Sequence, residues 1–188
     1  MKSLSIPIRL IVLFTVITGV IYPLLITLCG YSFFPEKAHG SQVHLNGKII
    51  GSYLIGQKFT SPKYFHGRPS ASDYNPGASG GSNLGPSNKT FSERIANDAA
   101  SARKLYGLRD DAKIPADLIM TSASGLDPHI SIDAALIQCD AVARARNTDT
   151  RVIENMVYAY AEKRYFNFTG DRYINVLRLN IALDDRMK

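Results

Sequence analysis

The sequence is short of cysteine: Cys29 and Cys139 are the only two in 188 residues. Two cysteines cannot build a disulfide framework. Cys29 falls in an apolar run and Cys139 in a helical pattern, so both read as small apolar fillers, and a hydrophobic core must hold the chain together. Metal-ligand spacing is missing as well. The histidines at 39, 44, 66 and 129 are dispersed, and no Cys or carboxylate cluster joins His39 and His44. Nor is there a phosphate-binding Walker motif: Lys89-Thr90 supply its K-T, but Asn83 and Asn88 stand where it needs glycine. Ser79-Gly80-Gly81-Ser82 is likewise wrongly flanked for an ABC-transporter signature. Ser122, Ser124, Ser131, Asp127 and His129 have the residue types of a hydrolase but no G-x-S-x-G elbow. Asp127-Pro128 reads more simply as a turn ahead of a helix cap at Ser131. The net charge of +6 is scattered rather than clustered, which favours a solvated surface over a nucleic-acid site. No enzyme site emerges from these residues.

What the sequence does have is one long run without charge. Leu10 to Cys29 is twenty such residues, roughly 30 Å of helix and so about the thickness of a bilayer's hydrocarbon. The run is too long for the core of a cleaved signal peptide, and bulky "YSFFPEK" follows it. Cys29 follows Leu28, which a lipoprotein signal would not allow. A retained span over residues 10–34 is therefore expected, with its aromatic end at the membrane–water interface. Lys2, Arg9 and the terminal amine precede the span, whereas Glu36 and Lys37 cancel after it. The positive-inside rule then puts residues 1–9 in the cytoplasm and residues 35–188 outside. Within the span Pro23 predicts a kink, and Thr15 and Gly19 form a small face on which another helix could pack.

Beyond the span, "GKIIGSYLIGQKF" at 47–59 predicts a strand or hairpin. Residues 60–89 are poor in charge and rich in Gly, Ser, Pro and Asn, a long loop of the kind that is functional or disordered. Tyr53, Tyr64, Phe65 and Tyr74 anchor it and argue against disorder. Tyr64, Phe65, Arg68 and Tyr74 are residue types enriched at protein interfaces, with core packing as the other reading. A helix follows, with Thr90 and Glu93 as a capping box, Phe91, Ile95, Ala102 and Leu105 on one face, and Gly107 as its stop. A second helix is predicted from Ser131, burying Ile132, Ala135, Cys139 and Val142, and a third from near Asp149, burying Val152, Met156 and Tyr160. "DLIMTSASGLDPHIS" between the first two reads as a strand ending in a turn, and "YINVLRLNIALDD" fits strand and helix equally. The expected fold is a single N-terminal transmembrane helix followed by a mixed α/β (α+β) extracytoplasmic domain.

The blocks "GSYLIGQKF", "YFHGRPSASDYNPGASGGSNLGPSN", "DLIMTSASGLDPHIS" and "INVLRLNIALD" follow one short membrane span. In that order they resemble the C subunit of the Kdp potassium-transporting ATPase of bacteria. The resemblance runs from the span to near Leu183, and "SASGLDPHIS" is its most specific part. It implies an accessory subunit of the bacterial inner membrane with no catalytic machinery and no cofactor of its own, ATP entering only through the complex. The implied partners are a channel-like potassium-binding subunit, a P-type ATPase subunit and a very small peptide subunit, besides membrane lipid. The family is needed for assembly and acts as a catalytic chaperone that raises the ATPase subunit's affinity for ATP. Two arrangements accommodate that role. In the favoured one the domain docks outside and acts on ATP affinity indirectly. In the other it is cytoplasmic, and Ser79, Gly80, Gly81, Ser82 and Asn83 touch nucleotide. Outside the family resemblance, the competing reading is a free-standing membrane-anchored module that binds a surface ligand.

Overall fold

A computed structural model describes residues 2–162 and 170–186, with side chains from Ser5 onward. The expected first and third segments, 1–9 and 35–188, extend at residues 1, 163–169 and 187–188 beyond what is described. The chain divides into two compact units, residues 1–50 and 51–188.

The first unit is dominated by an apolar helix. Helix α1 (Lys2–Val16) passes through a π-helical turn (Ile17–Ile21) into helix α2 (Tyr22–Phe33). Ser5–Phe33, 29 residues, is the one helix among the described residues long and apolar enough to cross a membrane. It starts five residues before the expected span 10–34 and ends one residue short of it. The π-turn sits immediately before Pro23, where a kink was expected, and both features are recognised causes of helix distortion. A four-residue helix α3 (Pro35–Ala38) follows at once. Its last turn is closed by His39, whose Nδ1 lies 2.7 Å from Pro35 O and whose ring stacks edge-on to Tyr31. Strands β1 (Gln42–Leu45) and β2 (Lys48–Ser52) then form a hairpin. The hairpin starts earlier than the predicted 47–59. Its turn is Asn46-Gly47, both at positive φ (51° and 75°), the combination a two-residue hairpin requires.

The second unit holds four helices and a small sheet, against which lies the segment 53–88, whose one regular piece is a 3₁₀ turn at Pro76–Ala78. Helix α4 (Lys89–Tyr106) is capped by Asn88, whose side chain accepts from Thr90 N–H at 2.9 Å, so Thr90 is not the cap expected of it. Gly107 at φ 69° ends the helix as predicted. The buried face is Ala102 and Tyr106, while Leu105 is half exposed. No strand forms over Asp117–Met120; a 3₁₀ turn (Ala116–Leu118) takes its place, and strand β3 begins only at His129 and ends at Ser131. Ser131 caps helix α5 (Ile132–Arg146) by accepting from Ala134 N–H at 3.0 Å, and Ala135, Cys139 and Val142 are buried as predicted.

Helix α5 ends at Asn147, left-handed at φ 52°, and Asp149 caps helix α6 (Thr150–Tyr160) two residues on, so α6 folds back onto α5. Met156 is buried, but its companions are Ile153 and Val157; Val152 is exposed and Tyr160 only partly covered. The ambiguous tail is both of its templates. Strand β4 (Tyr173–Asn175) pairs antiparallel with β3, Ile130 facing Ile174, and helix α7 (Val176–Arg186) follows directly. Those two isoleucines, with Leu179 and Leu183 of α7, are fully buried in the core. Full burial of each such side chain contributes roughly 1.5–3 kcal/mol.

Candidate functional site

The segment 60–88 carries most of the candidate site residues, and it is pinned rather than loose. Helices α5 and α7 each turn one amide side chain toward it. Asn180 accepts from Phe65 N–H (2.8 Å) and donates to Phe65 O (2.9 Å). Gln138 accepts from His66 N–H (2.8 Å) and donates to His66 O (3.1 Å). Each amide thus does for one residue what a neighbouring strand would do, satisfying donor and acceptor together. Both amides are themselves buried, Gln138 at 0% exposure and Asn180 at 2%, so losing either leaves unpaired main-chain groups inside the core.

The aromatic and basic candidates sort differently. Phe65 is fully enclosed, so its side chain is a core residue and not part of a contact surface; for this residue the packing reading holds. Tyr64 is partly exposed. Its hydroxyl donates to Asp184 Oδ2 at 2.8 Å, and that hydrogen bond, with burial and the carboxylate's charge, raises the phenol above its ordinary range. Arg146 lies over the Tyr64 ring, donates to Lys63 O and pairs with Asp184 at 2.7 Å. Arg68 pairs with Asp127 at 3.1 Å, and the Tyr74 hydroxyl donates to Arg68 O. Burial alone would raise the Asp127 carboxyl. Hydrogen bonds from His129 and Arg68 outweigh it and hold the carboxyl below its usual value. Burial also lowers His66, whose Nδ1 lies 3.2 Å from the Tyr106 hydroxyl.

The glycine-rich stretch lies on the "SASG" turn. Gly80 N–H and Ser79 Oγ both donate to Ser124 O, at 2.8 and 2.9 Å. Ser70 Oγ donates to Gly125 O at 2.6 Å and accepts from Tyr74 N–H at 2.8 Å. Gly125 has φ +68°, and a Cβ there would stand 2.8 Å from Gly80 O, so only glycine fits. A Cβ on Gly81 would meet Ala123 O at 3.1 Å, whereas one on Gly80 would meet nothing within 4 Å. Ser82 is partly covered, and Asn83, at φ 53°, is exposed. Two of the five candidate nucleotide residues therefore already spend a donor on Ser124.

The residue types of a hydrolase have structural partners here. Ser131 Oγ donates to Asp117 and caps α5, Ser124 Oγ accepts from Leu126 N–H, and the His129 ring meets Asp127, Asn175 and Tyr173. No group of three metal-capable side chains occurs among the described residues. Cys139 is buried, and burial, then Glu154 and Asp140, push its thiol up to about 12, so it stays protonated and inert. In the span, Thr15 and Pro23 lie on the exposed helix, and Gly19 has open space where a side chain would stand.

Sequence reasoning did not single out Gln138, Asn180 or Asp184. The signal was present for the two amides: each sits among small or apolar residues on a buried helical face, and a buried polar group needs a partner.

The family model described as "KdpC: K+-transporting ATPase, c chain" matches residues 4–185. The chain belongs to the KdpC family. The match takes in the apolar helix as well as the domain beyond it. A KdpC subunit of the potassium-transporting ATPase from Methylococcus capsulatus is 47% identical over 178 residues, 93% of each chain. The corresponding subunit from Mycobacterium bovis (strain BCG) is 44% identical over 93% of this chain and 94% of its own. That from Geobacter sulfurreducens is 43% identical over the whole of both chains. As a KdpC-family member the protein is an accessory subunit of a potassium-transporting ATPase, with other subunits as partners. The reading as a free-standing anchored module gives way to this one.

Proposed function

We propose that the chain is non-catalytic, that it stabilises the assembled potassium-uptake complex, and that it raises the ATPase subunit's affinity for ATP from the far side of the membrane. Residues 1–9 lie in the cytoplasm, residues 10–34 span, and the domain from 35 onward faces outward. The partners are the channel-like potassium-binding subunit, the P-type ATPase subunit and the small peptide subunit, with lipid around the span. The chain holds no cofactor, and ATP is met only through the complex. The observation that carries this reading is the pinned 60–88 segment: its main chain is held by Gln138, Asn180 and Ser124 while the tips around Asn75 and Asn83 stay exposed. A segment held in one shape loses little entropy on docking, which suits a contact surface. An effect on ATP affinity then follows by biasing the complex toward the state that binds ATP better.

The test begins with protease on intact spheroplasts and on inverted vesicles, following the domain by blot. Cleavage in spheroplasts alone is expected. Cleavage in inverted vesicles alone would overturn the orientation and bring forward direct nucleotide contact by Ser79–Asn83. On the purified complex, removing this chain is expected to raise KM for ATP; an unchanged KM would remove the chaperone role.

A further inference from the structure

The span carries an opening in its own hydrogen bonding. In the π-turn, Tyr22 N–H bonds Ile17 O, five residues back. An α-helix would have given that donor to Thr18 O. The next main-chain nitrogen belongs to Pro23 and carries no hydrogen, so Thr18 O loses both its α-helical and its π-helical donor and Gly19 O its α-helical one. The Thr18 hydroxyl does not make up the loss, because it donates to Phe14 O at 2.6 Å. Gly19 is the middle residue of Ser5–Phe33, where a membrane supplies no water, and space around Gly19 is open.

A second polar group stands on the same face. Tyr22, one helical turn beyond Thr18, is 62% exposed, and its hydroxyl has no partner among the described residues. Tyrosines of membrane helices concentrate at the interfaces, where the hydroxyl is wetted. This one lies three residues from the middle of the apolar helix. A carbonyl stripped of its regular helical donors and a phenol without a partner among the described residues, on one face near mid-membrane, call for the same remedy: a polar side chain from another helix.

We infer that the Thr18–Tyr22 face is a docking site for a transmembrane helix of another subunit. That helix would bring an amide or hydroxyl side chain to donate to Thr18 O and accept from the Tyr22 hydroxyl. The inference rests on reading Ser5–Phe33 as a span within the multi-subunit ATPase, and goes beyond small-residue packing at Thr15 and Gly19 by naming the atoms and the partner's chemistry.

The experiment uses the full complex in native membranes. A benzophenone amino acid replaces Tyr22 or, as the opposite-face control, Leu24. Adducts are expected from position 22 with one of the other subunits and not from position 24. Pro23→Ala, which returns a main-chain donor, and Tyr22→Phe, which removes the hydroxyl, are each expected to weaken retention of the other subunits in mild detergent by roughly three- to tenfold. Thr18→Val, which leaves the carbonyl in place, is expected to retain them within about twofold. Retention unchanged by Pro23→Ala and Tyr22→Phe would overturn the inference while leaving the subunit reading intact. So would a Thr18→Val loss as large as theirs, or adducts only with lipid or a second copy of this chain. Failure of the native chain to co-purify with any other subunit would remove both.

Discussion

Gly125 is tightly constrained by the pinned segment beside it. Its φ of +68° is strained for any other residue, and a Cβ would press on Gly80 O at 2.8 Å. Gly80, directly across that contact, has open space for a methyl group. The two glycines look alike in the sequence, yet one is fixed by its backbone and the other is not. Gly125→Ala should lower the domain's stability by roughly 1–3 kcal/mol, and Gly80→Ala should leave it within about 0.5 kcal/mol. Thermal unfolding of the two variants in the same detergent checks this. A Gly80 variant as unstable as the Gly125 variant would show that Gly80 is not free to accept a side chain. If Gly80→Ala stays stable but loses the other subunits, Gly80 belongs to the docking surface.

At the scale of elements, what the sequence made legible follows from how local each signal is. Helix caps read well where one residue does the work: Ser131, Asp149 and Gly107 all stand where expected. At α4 the signal misleads: Thr90 and Glu93 imitate a capping box, while Asn88 two residues earlier accepts the free N–H. Which face is buried depends on distant partners and was less legible. On α4 apolar periodicity pointed to Leu105, but α5 packs against the Ala102–Tyr106 face. Ala102→Glu should therefore cost several kcal/mol and Leu105→Glu less than about 1 kcal/mol, as read by denaturant midpoints. Equal costs would place Leu105 in the core after all. The expected strand at 117–120 failed for a related reason: Leu118 is buried by a 3₁₀ turn, which places an apolar residue inward as well as a strand does. The hairpin turn at Asn46-Gly47 is a legible signal, and it falls at the very start of the predicted 47–59 stretch rather than within it. The roles of Gln138 and Asn180 are not legible, since nothing within α5 or α7 says that Phe65 and His66 are their partners.

On the scale of the whole molecule, the 60–88 segment takes its shape from residues far along the chain. Phe65 meets Asn180 across 115 positions, and Tyr64 meets Asp184 across 120. Helix α7, which supplies both partners, is the last element among the described residues. A chain ending after Asn175 should still insert its apolar helix, but a protease should cut between residues 60 and 88 many times faster than in the full chain. Equal resistance would show that the amide of α5 suffices. Proteins leave the ribosome from their N-terminus, and early parts wait for later ones. Here the apolar helix is made well before the partners of Tyr64 and Phe65. A half-made chain is thus already tethered in the membrane while its long segment still lacks a shape. That shape is withheld until the chain has been made as far as Asp184, 120 positions beyond Tyr64.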